Sequence, residues 1–527
     1  MSLLRLLITA ALAVGLLAPV LVPAARTVGG SAVWREAGRI AELAATTAQL
    51  AGLAVLLAVP LGTLLAVALE RVSLPGRGFF RLLVLAGLFV PLPVAAVAWQ
   101  TVFGQWLPPL RLAPGQVAWR PWSLGLLPAA WVHAAAGLPW VIWVVSAGLR
   151  TGDRGLEEDA LLTGGPGAVV RWVVLPRAAV AAVAAGGWVA VQAVTEIPAT
   201  DAMMVRTFAE EVYTRFVAGE DGFAAAVAVT VPAWGVALVL AGWLATWAVR
   251  RFGPPPEAAG EPGDIPVSPR TRWLAAAGVW AAALVFAGLP LAALAWKAGS
   301  VETVRTAWVV HWRVLVGSVG TAATAGLLAA GLTWVACWQA TGSRWFARLL
   351  FVACVVLWVT PGPVVGFGLL DTIRGLVRVE GDALNRLGVS VAFPPLASAL
   401  YDQPSPVPTV WAAVVRFFPV AVAVLWPAVR AVPRELLDLA KLDGVSEWRL
   451  VVAPLTGPAF VRAGVAVAAL ALGEVSSTKI VVPPGREEFV LRVFDQMHYG
   501  SESSVAALCL LQIAATTAVA GLLVRRA

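Results

Sequence analysis

AGLAVLLAVPLGTLLAVALE, residues Ala51 to Glu70, is a run of twenty residues whose one charge sits at its last position. At 1.5 Å per residue a helix of this length is about 30 Å long, the thickness of a bilayer's hydrocarbon core. The run has no strand-like alternation, and an unpaired strand in lipid would leave its backbone polar groups unsatisfied. AALCLLQIAATTAVAGLLV, Ala506 to Val524, reads the same way. The whole chain follows suit: of 527 residues 60% are hydrophobic and 13% charged, with mean hydropathy +0.83. A soluble domain is about 45–50% apolar and about 25% charged. The expected class is an all-α integral membrane protein.

Twelve candidate helices follow from such runs, near 4–24, 46–70, 79–104, 122–149, 178–199 and 222–249, then 273–296, 314–340, 345–370, 407–430, 459–481 and 503–524. The first run looks like a signal peptide, with a basic residue, an apolar stretch and then small residues. A comparable run at 273–296 cannot be cleaved by position, which favours a retained first helix. Arginines at the ends of short loops, among them Arg71, Arg77, Arg250, Arg251, Arg270, Arg272, Arg344, Arg348, Arg525 and Arg526, place both termini in the cytoplasm by the positive-inside rule. The formal charge of +8 comes from scattered residues rather than a basic cluster, which speaks against nucleic acid. Cys337, Cys354 and Cys509 lie inside apolar runs without metal-ligand spacing.

The proline- and glycine-rich stretch Arg251 to Arg272 lies near the midpoint, with six candidate spans on either side. Pro91-Leu92-Pro93 matches Pro361-Gly362-Pro363, Pro176 matches Pro454, and Glu196 matches Glu474. These matches predict two parallel homologous halves. The expected boundaries are a first helix and periplasmic segment over 1–45, a first unit over 46–250, a cytoplasmic linker over 251–272, a seventh helix and periplasmic segment over 273–309, and a second unit over 310–527.

Between the fourth and fifth span of each half stands a polar word: LEEDALLTGGPGAVVRWVVLP (Leu156 to Pro176) and RELLDLAKLDGVSEWRLVVAPL (Arg434 to Leu455). Each reads as helix–turn–helix. In the second, Pro433 suits a first helical turn, Glu435 and Lys441 complement the helix dipole, Gly444 suits a left-handed stop, and Ser446 can cap the next helix. In the first, Asp153 is a candidate cap and the glycines from Gly164 to Gly167 break the chain. A single such loop would be unremarked; two at matched positions predict rigid elbows that dock a paired partner.

These words resemble the coupling loop of permeases in binding-protein-dependent ABC importers, where Glu-Ala-Ala is followed by three residues, Gly, and a hydrophobic stretch ending in Leu-Pro. Here Glu158, Asp159 and Ala160 precede Gly164 and later Pro176, while Asp438, Leu439 and Ala440 precede Gly444 and later Pro454. The Gly-to-Pro spacings, 12 and 10 residues, are shorter than the family's, and Asp438 and Ala453 depart from its wording. With ALGEVSSTKIVVPPGREEFVLRVFDQMHYG (Ala471 to Gly500) behind the second loop, nearly the whole chain resembles the fused iron(III)- and thiamine-type permeases. The resemblance implies a type I importer permease in the bacterial inner membrane. It also implies two copies of an ABC ATPase at the elbows and an external substrate-binding protein. Iron(III) is the first expectation for substrate, with thiamine, other organic cations and oxyanions open. The lysines are preceded by Trp296, Ala440 and Thr478, so the chain holds no P-loop; ATP and Mg would belong to the partner ATPase, and no catalysis or bound cofactor is expected in this chain.

Glu196 and Glu474 each follow their proline by 20 residues, or roughly 30 Å of helix, which places them near the far ends of their spans. A carboxylate there is either part of a central pathway or simply interfacial, paired with a residue such as Arg206 or Lys479. The tryptophans fit interfacial belts, and Trp106, Trp119, Trp122 and Trp312 sit near predicted span ends. His133, His311 and His498 form no cluster, so no metal site is expected. Glu210, Glu211, Glu220, Asp221, Glu487 and Glu488 fit either a receptor-docking rim or a solvated loop. A secondary transporter of two fused six-helix halves is the alternative reading, and it predicts ionisable residues buried deep in several helices.

Overall fold

The computed structural model describes residues 10, 13–21, 37–107, 122–150, 154–217, 223–252, 263–389, 394–499 and 501–524. The described residues are helical, with no strand among them. Eight helices are long and apolar enough to cross a membrane, and ten if two sharply bent helix pairs each count as one span. This is an all-α membrane protein. Of the first expected span, 4–24, only residue 10 and residues 13–21 are described, and the sixth is the 30-residue helix Phe223–Phe252. Asp153, Trp119, Glu220, Asp221, Arg525, Arg526 and residues 253–262 of the linker lie outside the described residues.

The third and ninth expected spans are not single helices. Arg77–Gly87 meets Leu92–Gly104 at 107°, and Arg344–Val359 meets Gly362–Arg386 at 110°. The matched Pro-x-Pro words cause both bends. Pro91 and Pro361 lack the N–H that would continue the preceding helix, and each takes an extended conformation (ψ 141° and 142°). Pro93 and Pro363 then fall in the first turn of the next helix, where a missing N–H costs nothing. The fifth and eleventh expected spans also stop early: Leu175–Thr195 and Ala453–Ala471 end before Glu196 and Glu474, and the short helices Pro198–Ala202 and Thr478–Val481 follow.

Small residues set the packing, as expected where lipid tails are as apolar as leucine and only close approach favours helix association. In one core, a Cβ at Gly62 would lie 2.6 Å from Val141, one at Gly137 2.8 Å from Val189, and one at Gly148 2.7 Å from Ala181. These contacts join Ala37–Arg71, Leu126–Arg150 and Leu175–Thr195. In a second core, Gly326 of Val301–Thr341 approaches the carbonyl of Gly464 in Ala453–Ala471, with Val407–Arg430 alongside. Leu88, Phe89 and Trp140 pack with Ala466, Ala469 and Ala520, joining the two cores.

Candidate functional site: a polar knot between broken helices and two elbows

The four broken helices meet. A Cβ at Gly473 would lie 2.9 Å from Pro91 Cβ, so the break after Ala471 rests directly on the bend of the first pair. Gly362, at the bend of the second pair, lies against Ser476 with no room for a side chain. At this crossing Arg416, from Val407–Arg430, donates from Nη2 to Glu196 Oε1 at 2.6 Å and to Thr195 Oγ1 at 3.1 Å. Its Nη1 donates to the Thr360 carbonyl at 2.8 Å. Ser476 donates to the other Glu196 oxygen at 2.7 Å and accepts from the Ile197 N–H. Trp234 Nε1 donates to Thr360 Oγ1, bringing in Phe223–Phe252. Arg416 is 8% exposed. Five separate segments thus converge on one ion pair between buried Arg416 and half-buried Glu196.

Glu474 is also buried, at 3% exposure, but its bonds stay within its own segment. Its oxygens accept from the N–H groups of Ser477 (2.8 Å) and Thr478 (2.9 Å) and from the Thr478 hydroxyl (2.5 Å), which caps the helix Thr478–Val481. Neither glutamate has the partner expected. Arg206 faces Glu210 and Glu211, and Lys479 faces Asp495.

Both glutamates and Arg416 line a cavity of about 110 Å³, whose wall includes the rings of Trp140, Trp188 and Trp358 and the Gln192 side chain. Trp140 and Trp188 stack with centroids 4.2 Å apart, and Trp188 meets Trp358 edge-on at 4.2 Å. Among the described residues, Trp188 Nε1 and Gln192 Oε1 are buried without a protein partner. So are both ring nitrogens of His133, which is 1% exposed within Leu126–Arg150. No group of three or more His, Cys, Asp or Glu side chains able to hold a metal occurs among the described residues.

The two polar words form elbows at the other end of the same helices. Leu175–Thr195 and Ala453–Ala471 each run from an elbow to the polar knot, so both elbows project from one end of the molecule. In the first, Arg154–Ala168 is broken at Gly165 (φ 68°, ψ −168°); in the second, Arg434–Leu442 stops ahead of Gly444 (φ 67°). The left-handed residue of the first elbow is therefore Gly165, one position beyond Gly164. Measured from Gly165 and Gly444, the distances to Pro176 and Pro454 are 11 and 10 residues, closer than the sequence pattern alone suggested. Pro433 stands at the helix N-cap, just before the first turn, and Ser446 accepts from the Arg449 N–H as expected. Glu158, Asp159 and Asp438 are exposed, Ala160 is half-buried, and Ala440 is buried against its neighbours Val432 and Val451.

Each elbow carries bare apolar side chains: Leu162 (87% exposed) and Trp172 (69%) on the first, Leu442 (83%) and Leu450 (61%) on the second. Their seating differs. Buried Arg71 pairs with Glu157 of the first elbow at 2.6 Å, and Glu70 pairs with Arg81 and Arg150 beside it. The linker reaches this corner as well, through Ile265 N–H to the Arg71 carbonyl and Asp264 to Arg77. The second elbow is anchored by Trp448 against Trp334 and Trp338.

The acidic residues expected on the opposite face are paired: Glu210 with Arg206, Glu211 with Arg39, Arg206 and Arg215, Glu487 with Arg492, and Glu488 with Arg486. Burial pushes the Glu210 carboxyl above its ordinary range, against the pull of the Thr214 hydroxyl and Arg206. Arg416 is the residue that sequence reasoning missed, although an arginine in the middle of VWAAVVRFFPVAVAVLW is a signal by itself. Compared with protein-family models, curated proteins and solved structures, the chain matches none.

Proposed function

We propose that this chain is the permease of an ATP-driven importer in a bacterial inner membrane, built from two related six-helix halves with both termini in the cytoplasm. The carrying observation is the pair of elbows. Each has a helix, a break or stop at a left-handed glycine and exposed leucine or tryptophan side chains, and each continues directly into a helix that ends at the polar knot. Exposed apolar groups on a short polar loop are poorly suited to water and well suited to a cleft in a partner. In this reading each elbow seats in one copy of an ABC ATPase. Closure of the ATPase pair moves the elbows, and the attached helices carry that motion to the cavity around Glu196, Arg416 and Glu474. The matched bends, at 107° and 110°, support the two related halves.

An external binding protein delivers the substrate. Iron(III) leads by resemblance, and thiamine, other organic cations and oxyanions stay open. The cavity's carboxylates fit a cation in transit, and high-affinity selection would fall to the binding protein.

The test is a mild-detergent pull-down of the tagged chain from its native membranes, with mass spectrometry of its companions. A P-loop ATPase at two copies per chain is the expected result. Replacing Gly165 and Gly444 together by proline, whose φ of about −65° excludes the left-handed conformation, should abolish that association while the chain still inserts. Retained association in that variant would overturn the elbows as the docking sites, and reproducible absence of any ATPase with the intact chain would move the assignment to an ion-coupled secondary transporter. The deep burial of His133 and Arg416 favours that second reading.

A further inference from the structure

We infer that Arg416 is the gate residue of the cavity, and that its pairing with Glu196 is the bolt closing the end away from the elbows. This deepens the reading of the cavity as a pathway and rests on it. Depth along the helices comes first. Trp140 lies 10 residues from Arg150, where its helix reaches the first elbow, and Trp188 lies 12 residues past Pro176, or roughly 15 and 18 Å from the elbow end. Glu196, 20 residues past Pro176, lies roughly 30 Å along. The ion pair therefore caps a chamber whose tryptophan walls lie between it and the elbows.

The bonding pattern makes that cap a movable part. Of the groups holding Glu196, one is a side chain on Val407–Arg430 and the other is Ser476, in the break of the other half. Arg416 also holds the Thr360 carbonyl, at the bend between Arg344–Val359 and Gly362–Arg386. The bonds to Glu196 thus run from the stretch after Leu175–Thr195 to Val407–Arg430 and to Ser476, and Glu196 and Ser476 both lie where a helix has already ended, so drawing these segments apart breaks the cap without unwinding a helix. Pro139 and Pro419 each lie inside the helix before an elbow, and three residues ahead of them stand Ala136 and Arg416, so the first of these helices carries no arginine at that place. Among the described residues only one such bolt exists at this knot, because Glu474 spends both oxygens on its own segment. A buried ion pair also suits a device that must choose between two states: it is firm when both partners meet and costly when only one remains.

The test measures access to the chamber in the full-length chain, in right-side-out membrane vesicles without ATP. Gln192 is changed to cysteine and labelled from outside with a charged, membrane-impermeant methanethiosulfonate, with the parent chain giving the background of Cys337, Cys354 and Cys509. Glu196→Leu combined with Arg416→Met removes the bolt and keeps apolar volume, so the chain need not bury a lone charge. Labelling at position 192 should then accelerate by about tenfold, the signature of a shifted closed–open equilibrium. The swapped pair Glu196→Arg with Arg416→Glu should return the rate toward that of Gln192→Cys alone. Equal rates with and without the bolt would overturn the gate. The measurement needs no ATPase, so a chain that gates normally but binds no ATPase refutes the importer and not the bolt.

Discussion

Glu196 and Glu474 stand 20 residues beyond Pro176 and Pro454, just past the end of a helix, and line one cavity. Their work is opposite. Glu196 binds across the molecule, to Arg416 and Ser476, whereas Glu474 binds only Ser477 and Thr478 next to it. Equal spacing from a proline thus does not imply equal roles. A carboxylate at a helix break has two ways to satisfy its charge, and which one it takes depends on whether a cation stands opposite. Arg416 stands opposite Glu196.

The sharpest way to break this comparison is a double-mutant cycle. Arg416→Ala leaves half-buried Glu196 without its cation, and the about 3–5 kcal/mol that follows removal of one partner of a fully buried pair is the upper bound on its cost. In thermal unfolding in detergent, Glu196 and Arg416 should show strong coupling, and Glu474 and Arg416 almost none. Comparable coupling for Glu474 would mean that the two carboxylates share one network. Next in size is Glu474→Ala, which strands two backbone N–H groups at about 1–3 kcal/mol each. Glu474→Gln keeps an acceptor oxygen and should lose clearly less. The reverse order would show that charge rather than capping is what Glu474 supplies.

The elbows offer a second contrast. Gly444→Ala should cost about 1–2 kcal/mol, because a Cβ is disfavoured in the left-handed conformation, and Gly165→Ala more, because its φ of 68° with ψ −168° is a conformation only glycine adopts readily; nothing else lies within 4 Å of either position. If Gly164→Ala proved the costlier change in the first elbow, the break would belong one residue earlier. The Cβ it adds would lie 2.7 Å from Ala168 Cβ, so it should show a packing penalty of its own.

Much of this was legible in the sequence. Spans are legible because the bilayer imposes length and hydropathy on each one separately. The elbows are legible because a polar, glycine-broken word is conspicuous between apolar runs. The bends at Pro91 and Pro361 are not legible: the two words stand out as matches, but in lipid a proline is often carried within a helix, as Pro60, Pro139 and Pro419 are here. Whether a proline kinks or breaks a span depends on what receives the freed carbonyls, and that is a tertiary fact. Thr360 shows it, since its carbonyl is taken by Arg416 from a helix more than fifty residues away. The partner of Glu196 was missed for the same reason: Arg206 and Lys479 are nearer in sequence, but Arg416 is nearer in space.

The smallest predicted effect bears on what the elbows are for. Lys441 pairs with Asp438, and Arg154 with Glu158, at the surface of the two elbows with all four side chains more than half exposed. Exposed pairs of this kind contribute about 0–1 kcal/mol, so Lys441→Ala and Arg154→Ala should leave the unfolding midpoint nearly unchanged. The first elbow is anchored by Arg71–Glu157 and the second by Trp448 on Trp334, and neither depends on these charges. A loss of ATPase association in either variant, at unchanged stability, would therefore locate the effect in the docked surface and not in the fold. Equal loss in both would make the elbows equivalent docks, despite their different anchors. Loss in only one would carry the asymmetry of the two carboxylates down to the face proposed to dock the ATPase.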